Sequence, residues 1–177
     1  GTGRRSRPLA RRRRVTMGTA IKDKRVLVTG GAGFIGNEVV RQLVAGGARV
    51  TALDNLVNGK RENLADVSTA QHRLIVGDLR DLDTVTKCVD GQDAVIHMAC
   101  LGVRHSIHAP LENHEVNATA TLRLLEVAKL KAVARFTYVS SSEVYGTAQT
   151  APMTEQHPCW PMTVYGVGRD QGMTSGP

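Results

Sequence analysis

A glycine cluster between an apolar run and a helical pattern is the feature of this sequence best suited to binding a ligand. It reads Thr29-Gly30-Gly31-Ala32-Gly33-Phe34-Ile35-Gly36 and spaces three glycines as G-x-x-G-x-x-G. Gly30 predicts a tight turn, Gly33 lets backbone amides approach a diphosphate, and Gly36 lets the next helix lie close to a sheet. That helix would direct free N–H groups and its positive dipole end at the phosphates. The cluster predicts a dinucleotide site that also includes Phe34 and Ile35.

Acidic residues after the second and third apolar runs indicate which dinucleotide would bind. Asp54 ends the second run, where a carboxylate can accept hydrogen bonds from the adenosine ribose. The same carboxylate would repel a 2′-phosphate, so the sequence favours NAD over NADP. Asp78 ends the third run and either contacts the adenine or caps the next helix. The other predicted cofactor residues are Asn55 and Leu79, next to these carboxylates, and Met98 and Ala99, at the end of the fourth run.

Short apolar runs alternate with longer segments of helical spacing, which predicts an α/β chain with a doubly wound parallel sheet, a three-layer αβα Rossmann fold that is incomplete. The predicted strands are Arg25 to Thr29, Arg49 to Leu53, Arg73 to Val76, Ala94 to Met98 and Arg135 to Val139. Helices are predicted over 34–45, where Gly46 and Gly47 end the pattern, and over 111–130. Parallel strands would bring the glycine cluster and the acidic residues to one edge of the sheet.

The net charge of +7 comes from an amino-terminal arm. Seven arginines precede Val15, and the other 16 basic residues equal the 16 acidic ones in number. Residues 1–20 are predicted to be a disordered Arg-rich arm that could bind phosphates non-specifically. Because the chain begins with Gly and Met17 follows the arginines, residues 1–16 are expected to precede the native start.

Composition argues against several other classes of protein. Aromatic residues make up only 3% of the chain, too few for stacking on single-stranded nucleic acid, so no specific nucleic-acid partner is expected. The apolar runs are too short to span a membrane, and the histidines show no zinc spacing, so neither a membrane nor a metal partner is predicted. Three widely spaced cysteines without a C-x-x-C pair favour a reducing cytoplasm.

Taken together, the motifs resemble the extended short-chain dehydrogenases/reductases, and within them NAD-dependent nucleotide-sugar epimerases and dehydratases similar to UDP-glucose 4-epimerase. The matching segments are Thr29 to Gly36, Leu53-Asp54-Asn55-Leu56, Gly77-Asp78-Leu79, His97-Met98-Ala99 and Val139-Ser140-Ser141-Ser142-Glu143-Val144-Tyr145-Gly146. The resemblance implies a UDP-sugar substrate and hydride transfer at sugar C4 through a 4-keto intermediate. Whether an epimerase, a dehydratase or a decarboxylase results stays open.

The same resemblance implies two catalytic residues. Ser142, the third serine of its segment, would hydrogen bond to the sugar hydroxyl, although such serines also cap strand ends. Tyr165 would remove the hydroxyl proton as a phenolate. Asn117 is a candidate support for the backbone of the active site. Relatives carry a lysine four residues after the tyrosine, where this chain has Arg169, and a guanidinium does not reproduce an ammonium hydrogen-bonded to a ribose.

Three glycines near Tyr165 argue against a stable catalytic helix there. Gly166, Gly168 and Gly172 would each cost a helix about 1 kcal/mol relative to alanine. The stretch resembles instead a loop that follows the sixth strand in relatives, which predicts a missing segment that includes the tyrosine-lysine helix.

We therefore expect residues 21–177 to form a partial NAD-binding domain without the sugar-binding lobe, with weak or no turnover, and to allow a homodimer. Two alternatives stay open: a non-catalytic dinucleotide-binding or scaffold protein, and a nucleic-acid binder that uses the arginine arm.

Overall fold

Five parallel strands form the sheet of this computed structural model, which describes residues 20–174. Except for Ala20, the predicted arm lies outside the described residues. The strand order is β3-β2-β1-β4-β5, and every neighbouring pair is parallel. The strands are β1 Arg25–Thr29, β2 Arg49–Asp54, β3 His72–Val76, β4 Ala94–His97 and β5 Arg135–Tyr138. The predicted doubly wound sheet is confirmed, and each strand end lies within one residue of its predicted place.

Six α-helices lie within the described residues: α1 Phe34–Ala45, α2 Leu82–Val89, α3 Val103–His108, α4 Pro110–His114, α5 Ala120–Leu130 and α6 Val164–Thr174. Two single turns of 3₁₀-helix occur at Arg61–Leu64 and Ser142–Tyr145. The helix predicted over 111–130 is interrupted, because a wider π-helical turn, Glu115–Thr119, separates α4 from α5. Gly46 and Gly47 end α1 as predicted, and Gly47 adopts φ +86°.

Apolar side chains fill both faces of the sheet, which gives the three layers. On one face, Leu27, Leu53 and Val95 pack with residues of α2 and α5. On the other face, Val26 and Val50 pack with residues of α1. Branched aliphatic side chains dominate both clusters, as expected for parallel strands that are covered on both sides. Fully burying a Val or Leu side chain contributes about 2 kcal/mol, so these two layers fix the strand ends that carry the site.

The expectation that no helix carries Tyr165 is wrong. Tyr165 lies in the first turn of α6, and the three glycines that argued for a loop lie on this helix. Two of them allow a close approach: a Cβ at Gly166 would lie 2.8 Å from the Glu143 carbonyl oxygen, and one at Gly172 would lie 2.6 Å from the Tyr138 ring. Tertiary packing overrides the low helix propensity of glycine. The glycines are therefore no argument for a loop here, and the missing segment itself stays a prediction.

Two substitutions on α6 distinguish packing from propensity. Gly168→Ala should stabilise the chain by up to about 1 kcal/mol, because alanine favours the helix and its Cβ would make only an ordinary 3.4 Å contact with Asn117. Gly172→Ala should destabilise it by about 1–3 kcal/mol, because the Cβ would overlap the Tyr138 ring. Urea unfolding of both variants measures the difference. Equal stabilisation by the two would show that α6 does not pack closely on Tyr138.

Candidate functional site

The glycine loop between β1 and α1 is closed so tightly that side chains are excluded. Gly30 adopts φ +70° and donates its N–H to the Leu53 carbonyl of the neighbouring strand at 2.8 Å. A Cβ at Gly30 would lie 2.8 Å from the Ala99 nitrogen, and one at Gly36 would lie 2.0 Å from the Gly30 carbonyl oxygen. Gly33 occupies the N-cap of α1, so the first turn of this helix opens on the loop. The loop therefore presents bare backbone at the carboxyl edge of the sheet.

Asp54 lies at the same edge, at the end of β2, and holds the loop in place. Its side chain is buried, with one oxygen accepting from the Ala32 N–H and the other from the Leu56 N–H, both at 2.9 Å. A Cβ at Gly59 would lie 2.6 Å from this carboxylate, so the chain after β2 also folds closely over it. Each carboxylate oxygen keeps further lone pairs, so Asp54 can accept from a ligand hydroxyl as well.

Asp78, at the end of β3, pairs with Arg80. The two side chains make hydrogen bonds of 2.8 and 2.9 Å, and Asn55 donates to the same carboxylate at 3.3 Å. The hydrogen bonds from Arg80 lower the pKa of Asp78 to about 2. The alternative that Asp78 caps the next helix is wrong, because the N-cap of α2 is Asp81, whose side chain accepts from the Asp83 N–H. Asp78 is therefore a charged group at the rim of the site.

A pocket opens at this edge and contains most of the predicted cofactor residues. Eight of them line it: Gly30, Gly33, Asp54, Asn55, Asp78, Leu79, Met98 and Ala99. Three do not. Phe34 and Ile35 are largely exposed on the first turn of α1, at 93% and 63%, and Gly36 packs beneath the loop.

Several lining residues lie outside the predicted cofactor set: Leu53, Asn58, Gly59, Gly77, Cys100, Leu101 and Val116. Asn58-Gly59 is a turn dipeptide soon after β2, and this signal could have placed the chain over Asp54. Cys100 and Leu101 continue the path of β4 past its last residue, so they follow from the strand direction. Val116 comes from the π-helical turn, which no simple periodicity indicates.

Tyr165 and the serine segment meet next to Cys100, which lines this pocket. Tyr165 is 9% exposed, and the Ser141 hydroxyl and the Cys100 thiol lie beside its phenol. Burial raises the pKa of Tyr165, a negative charge at Cys100 would raise it further, and Arg169 and Ser141 act in the opposite direction. The structure therefore brings Ser141 to the tyrosine. Ser142 is exposed and begins the 3₁₀ turn.

Arg169 lies one turn after Tyr165 and is almost fully buried, at 2% exposure. Its guanidinium carbon lies 4.5 Å from the centre of the Tyr138 ring and 6.0 Å from that of Tyr165. Its Nε and Nη1 atoms have no hydrogen-bond partner among the described residues. Burial raises the pKa of Tyr138 to about 12 in spite of this cation. The arginine is thus held by a cation–π contact with Tyr138.

Two buried polar side chains fix the backbone that follows β4. Asn117 accepts from the Leu101 N–H at 2.9 Å and donates to its carbonyl oxygen at 2.8 Å, so its side chain supports the chain beside the pocket as proposed. His97, with no exposed surface, lies between the hydroxyls of Thr29 and Thr121, at 2.6 and 2.8 Å. Burial lowers the pKa of His97 to about 3, with a contribution from the Arg169 charge, so the ring is neutral.

Comparison with known proteins decides the family. The model of a protein family described as GDP-mannose 4,6 dehydratase matches residues 27–171, most of the chain. The chain belongs to this family. The match extends through Tyr165 and Arg169 on α6. The resemblance to nucleotide-sugar epimerases and dehydratases is confirmed.

Individual relatives of the family carry two kinds of activity in their names. A dTDP-glucose 4,6-dehydratase of Streptomyces niveus is 38% identical over 157 residues, which cover 84% of this chain and 47% of the relative. A putative UDP-glucose 4-epimerase of Methanocaldococcus jannaschii is 33% identical over 150 residues, 83% of this chain and 48% of the relative. The chain spans about half the length of the curated relatives it matches.

Solved structures agree with the fold. DesIV, a dTDP-glucose 4,6-dehydratase from Streptomyces venezuelae determined with NAD and TYD bound, superposes with a TM-score of 0.80 at 38% identity, over 85% of this chain and 50% of DesIV. The epimerase Mth375 of Methanothermobacter thermautotrophicus gives a TM-score of 0.84 at 31% identity, over 89% of this chain and 48% of the epimerase. Family members thus share the sheet and helices seen here.

Residues 20–174 also bear on two other kinds of site. No helix in this range is long and apolar enough to cross a membrane. Within the same range, no group of three or more His, Cys, Asp or Glu side chains is arranged to hold a metal ion.

Proposed function

We propose that this chain is the dinucleotide-binding half of an NAD-dependent nucleotide-sugar epimerase or dehydratase, of the UDP-sugar 4-epimerase type. The observation that carries the proposal is the bare backbone cradle at Gly30 to Gly36, with the Asp54 carboxylate beside it. A Cβ at Gly30 or Gly36 would fill this cradle, and a buried carboxylate at the end of β2 matches an unphosphorylated ribose. Relatives of known structure that are bound to NAD support the same cofactor.

Residues at the carboxyl ends of several strands would each bind a different part of NAD. Backbone amides of the loop and the first turn of α1 would hold the diphosphate. Asp54 would accept hydrogen bonds from the adenosine ribose, and Asp78 would lie near the adenine. NAD, when bound, supplies reversible hydride acceptance. Met98 and Ala99 would bring the backbone after β4 against it.

At the reacting end, Tyr165 would hold and release a proton at its phenol oxygen. Ser141, which lies beside that oxygen, is the hydroxyl placed to orient a sugar hydroxyl there, whereas Ser142 stays a prediction from the motif. Burial keeps the phenol protonated near neutral pH, because the raised pKa lies above the ordinary value of about 10. Little phenolate would therefore be present in this chain to accept the sugar hydroxyl proton, which supports low turnover.

Specific observations favour two other functions. The GDP-mannose 4,6 dehydratase model and the dTDP-glucose 4,6-dehydratase relative favour a dehydratase. Arg169 in contact with Tyr138 favours a non-catalytic dinucleotide-binding protein. Turnover of UDP-glucose and dTDP-glucose, with the products separated by chromatography, distinguishes epimerase, dehydratase and inactive protein.

Thermal unfolding with added dinucleotide tests the cofactor. NAD should raise the melting temperature, because a ligand at about 100 times its Kd that binds only the folded chain adds about 2.7 kcal/mol of stability. NADP should raise it less, because its 2′-phosphate would meet the Asp54 carboxylate. In Asp54→Asn the difference between NAD and NADP should shrink. The quantity to compare is the rise in melting temperature on adding ligand. The melting temperature without ligand is not compared, because Asp54 also supports the loop.

Asp90→Asn is the control for this experiment. Asp90 forms an exposed ion pair with Lys131 and does not line the pocket, so its variant should keep the full preference for NAD. A wild-type chain that unfolds at the same temperature with and without NAD would contradict the proposal.

We also propose a cytoplasmic location, supported by three thiols that are all free in a family of NAD-dependent enzymes. A homodimer stays a prediction.

A further inference from the structure

We propose that a cleft at the amino edge of the sheet, lined by Arg25, Arg49 and Arg73, binds a small phosphate monoester that carries hydroxyl groups, such as a sugar phosphate. The dinucleotide pocket lies at the opposite edge, and no residue lines both sites. Arg49 and Asp54 are the first and last residues of β2, so the sites are about 17 Å apart at about 3.3 Å per residue. The inference therefore goes beyond the proposed function and does not depend on it.

The register of the sheet brings the three arginines to one face. They come from the amino ends of the neighbouring strands β1, β2 and β3, with Arg25 directly opposite Arg49 and Arg73 opposite Thr51. Because side chains alternate along a strand, each arginine shares its face with an apolar residue two or four positions further on, which packs in the layer of α2 and α5. These apolar residues are Leu27, Leu53 and Ile75.

Two of the three positive charges have no carboxylate partner. Asp93 accepts from the Arg25 backbone N–H at 2.7 Å and lies 3.7 Å from its Nε. Arg49 and Arg73 form no ion pair within residues 20–174, and Arg73 donates only to the Thr51 hydroxyl, at 3.2 Å. Like charges side by side on strands about 4.8 Å apart repel each other. A phosphate group between the arginines would relieve this repulsion, and guanidinium groups bind phosphate through paired N–H donors.

The cleft is large enough for a small molecule and contains a buried acceptor. Its volume is about 390 Å³, within the range of about 300–1,000 Å³ of ligand sites. Gln92, in the turn after α2, lines the cleft and is 9% exposed. Its amide donates to the Cys88 carbonyl at 3.0 Å and to the Thr51 hydroxyl at 3.3 Å, whereas its Oε1 has no hydrogen-bond partner in the described part of the chain.

The uncharged groups of the cleft select a hydroxylated ester over a bare anion. A buried acceptor such as Gln92 Oε1 requires a donor. A phosphate dianion has no N–H or O–H to give, but a sugar hydroxyl does. Thr69 and Gln71 also line the cleft and can bind hydroxyls in either direction.

The charge of the cleft is positive overall. Among its described lining residues Asp90 is the only acidic one, and Lys131 donates to its carboxylate at 2.8 Å. A phosphate monoester has a charge of about −1.5 to −2 near pH 7, which complements the arginines. The arginines are exposed, so salt should weaken binding.

Isothermal titration calorimetry of the full chain tests the proposal with glucose 6-phosphate, ribose 5-phosphate, inorganic phosphate and glucose. At least one sugar phosphate should bind about tenfold more tightly than inorganic phosphate, and glucose should not bind detectably. Arg49→Gln and Arg73→Gln should each weaken sugar phosphate binding by about tenfold, because each removes charge-assisted hydrogen bonds. Both side chains are exposed, so the variants should fold as wild type does.

Arg135→Gln is the matched control. Arg135 is also an exposed arginine at the amino end of a strand, β5, but it does not line the cleft. Its variant should bind the sugar phosphate within about twofold of wild type, since long-range effects of exposed charges are screened. Saturating NAD should leave the affinity of wild type unchanged.

Three results would overturn the inference. One is that neither sugar phosphate binds more tightly than inorganic phosphate. Another is that Arg49→Gln weakens binding no more than Arg135→Gln does. The third is displacement of the sugar phosphate by NAD, which would assign it to the dinucleotide pocket and leave the proposed function intact. Failure of NAD to raise the melting temperature would contradict the proposed function alone.

Discussion

Gly36→Ala is expected to abolish the rise in melting temperature caused by NAD and to destabilise the chain by about 3 kcal/mol. The added Cβ would lie 2.0 Å from the Gly30 carbonyl oxygen, which is backbone and cannot rotate away. Either α1 must move out from the sheet or the loop must open, and both changes displace the amides proposed to hold the diphosphate. Thermal unfolding and NAD titration of the same samples measure both effects.

Gly102→Ala is the matched control for this substitution. Gly102 precedes α3, and a Cβ there would meet no atom within 4 Å. The exchange is chemically the same but removes no space, so stability and the NAD response should stay close to wild type. A Gly36→Ala chain that responds to NAD as strongly as Gly102→Ala would show that the cradle is not the diphosphate site.

Prediction from the sequence worked best where local and tertiary requirements coincide. The strands consist of branched aliphatic residues that suit a strand and also face the two core layers, so β1 and β2 could be placed to within a residue. The glycine loop was equally clear, because only glycine fits where a Cβ would overlap backbone. Asp54, at the end of β2, could be placed beside this loop because β1 and β2 are parallel neighbours.

The errors arose where the structure depends on contacts between residues that are distant in sequence. Glycine propensity predicted a loop around Tyr165, yet Gly166 and Gly172 are what let α6 approach Glu143 and Tyr138. The motif pointed to Ser142, which stays a prediction, whereas the direction of the chain as β5 ends brings Ser141 to the tyrosine. Neither outcome can be obtained from spacing along the chain.

Arg169 shows why a substitution inside a motif has to be interpreted in three dimensions. From the sequence, Arg169 replaces the lysine of relatives one helical turn after Tyr165, where a positive charge would favour a phenolate. In the structure the guanidinium lies closer to the Tyr138 ring than to the Tyr165 ring, and burial dominates the pKa of Tyr165. The positive charge of Arg169 is present, but its closer ring contact is with Tyr138 and not with Tyr165.

His97 gives the protein an expected sensitivity to acid. The ring is fully buried between two threonine hydroxyls, and its pKa is about 3, whereas the ordinary value is 6.5. Between these values the unfolded chain binds a proton that the folded chain does not, so stability falls as the pH falls from 6.5 toward 3. The loss approaches about 1.4 kcal/mol per pH unit within this window. Above pH 6.5 the contribution is fully present.

Urea unfolding of wild type and His97→Asn at pH 7.5, 6.5, 5.5 and 5.0 tests this expectation. The variant loses hydrogen bonds to Thr29 and Thr121, so it should be less stable at pH 7.5, but its stability should depend less steeply on pH below 6.5. His108→Asn, at the exposed end of α3, should keep the wild-type slope. Parallel slopes for wild type and His97→Asn would mean that the buried ring does not resist protonation. Because the hydroxyl of Thr29 also accepts from the N–H groups of Met98 and Ala99, which line the pocket, protonation of His97 is expected to disturb the pocket wall.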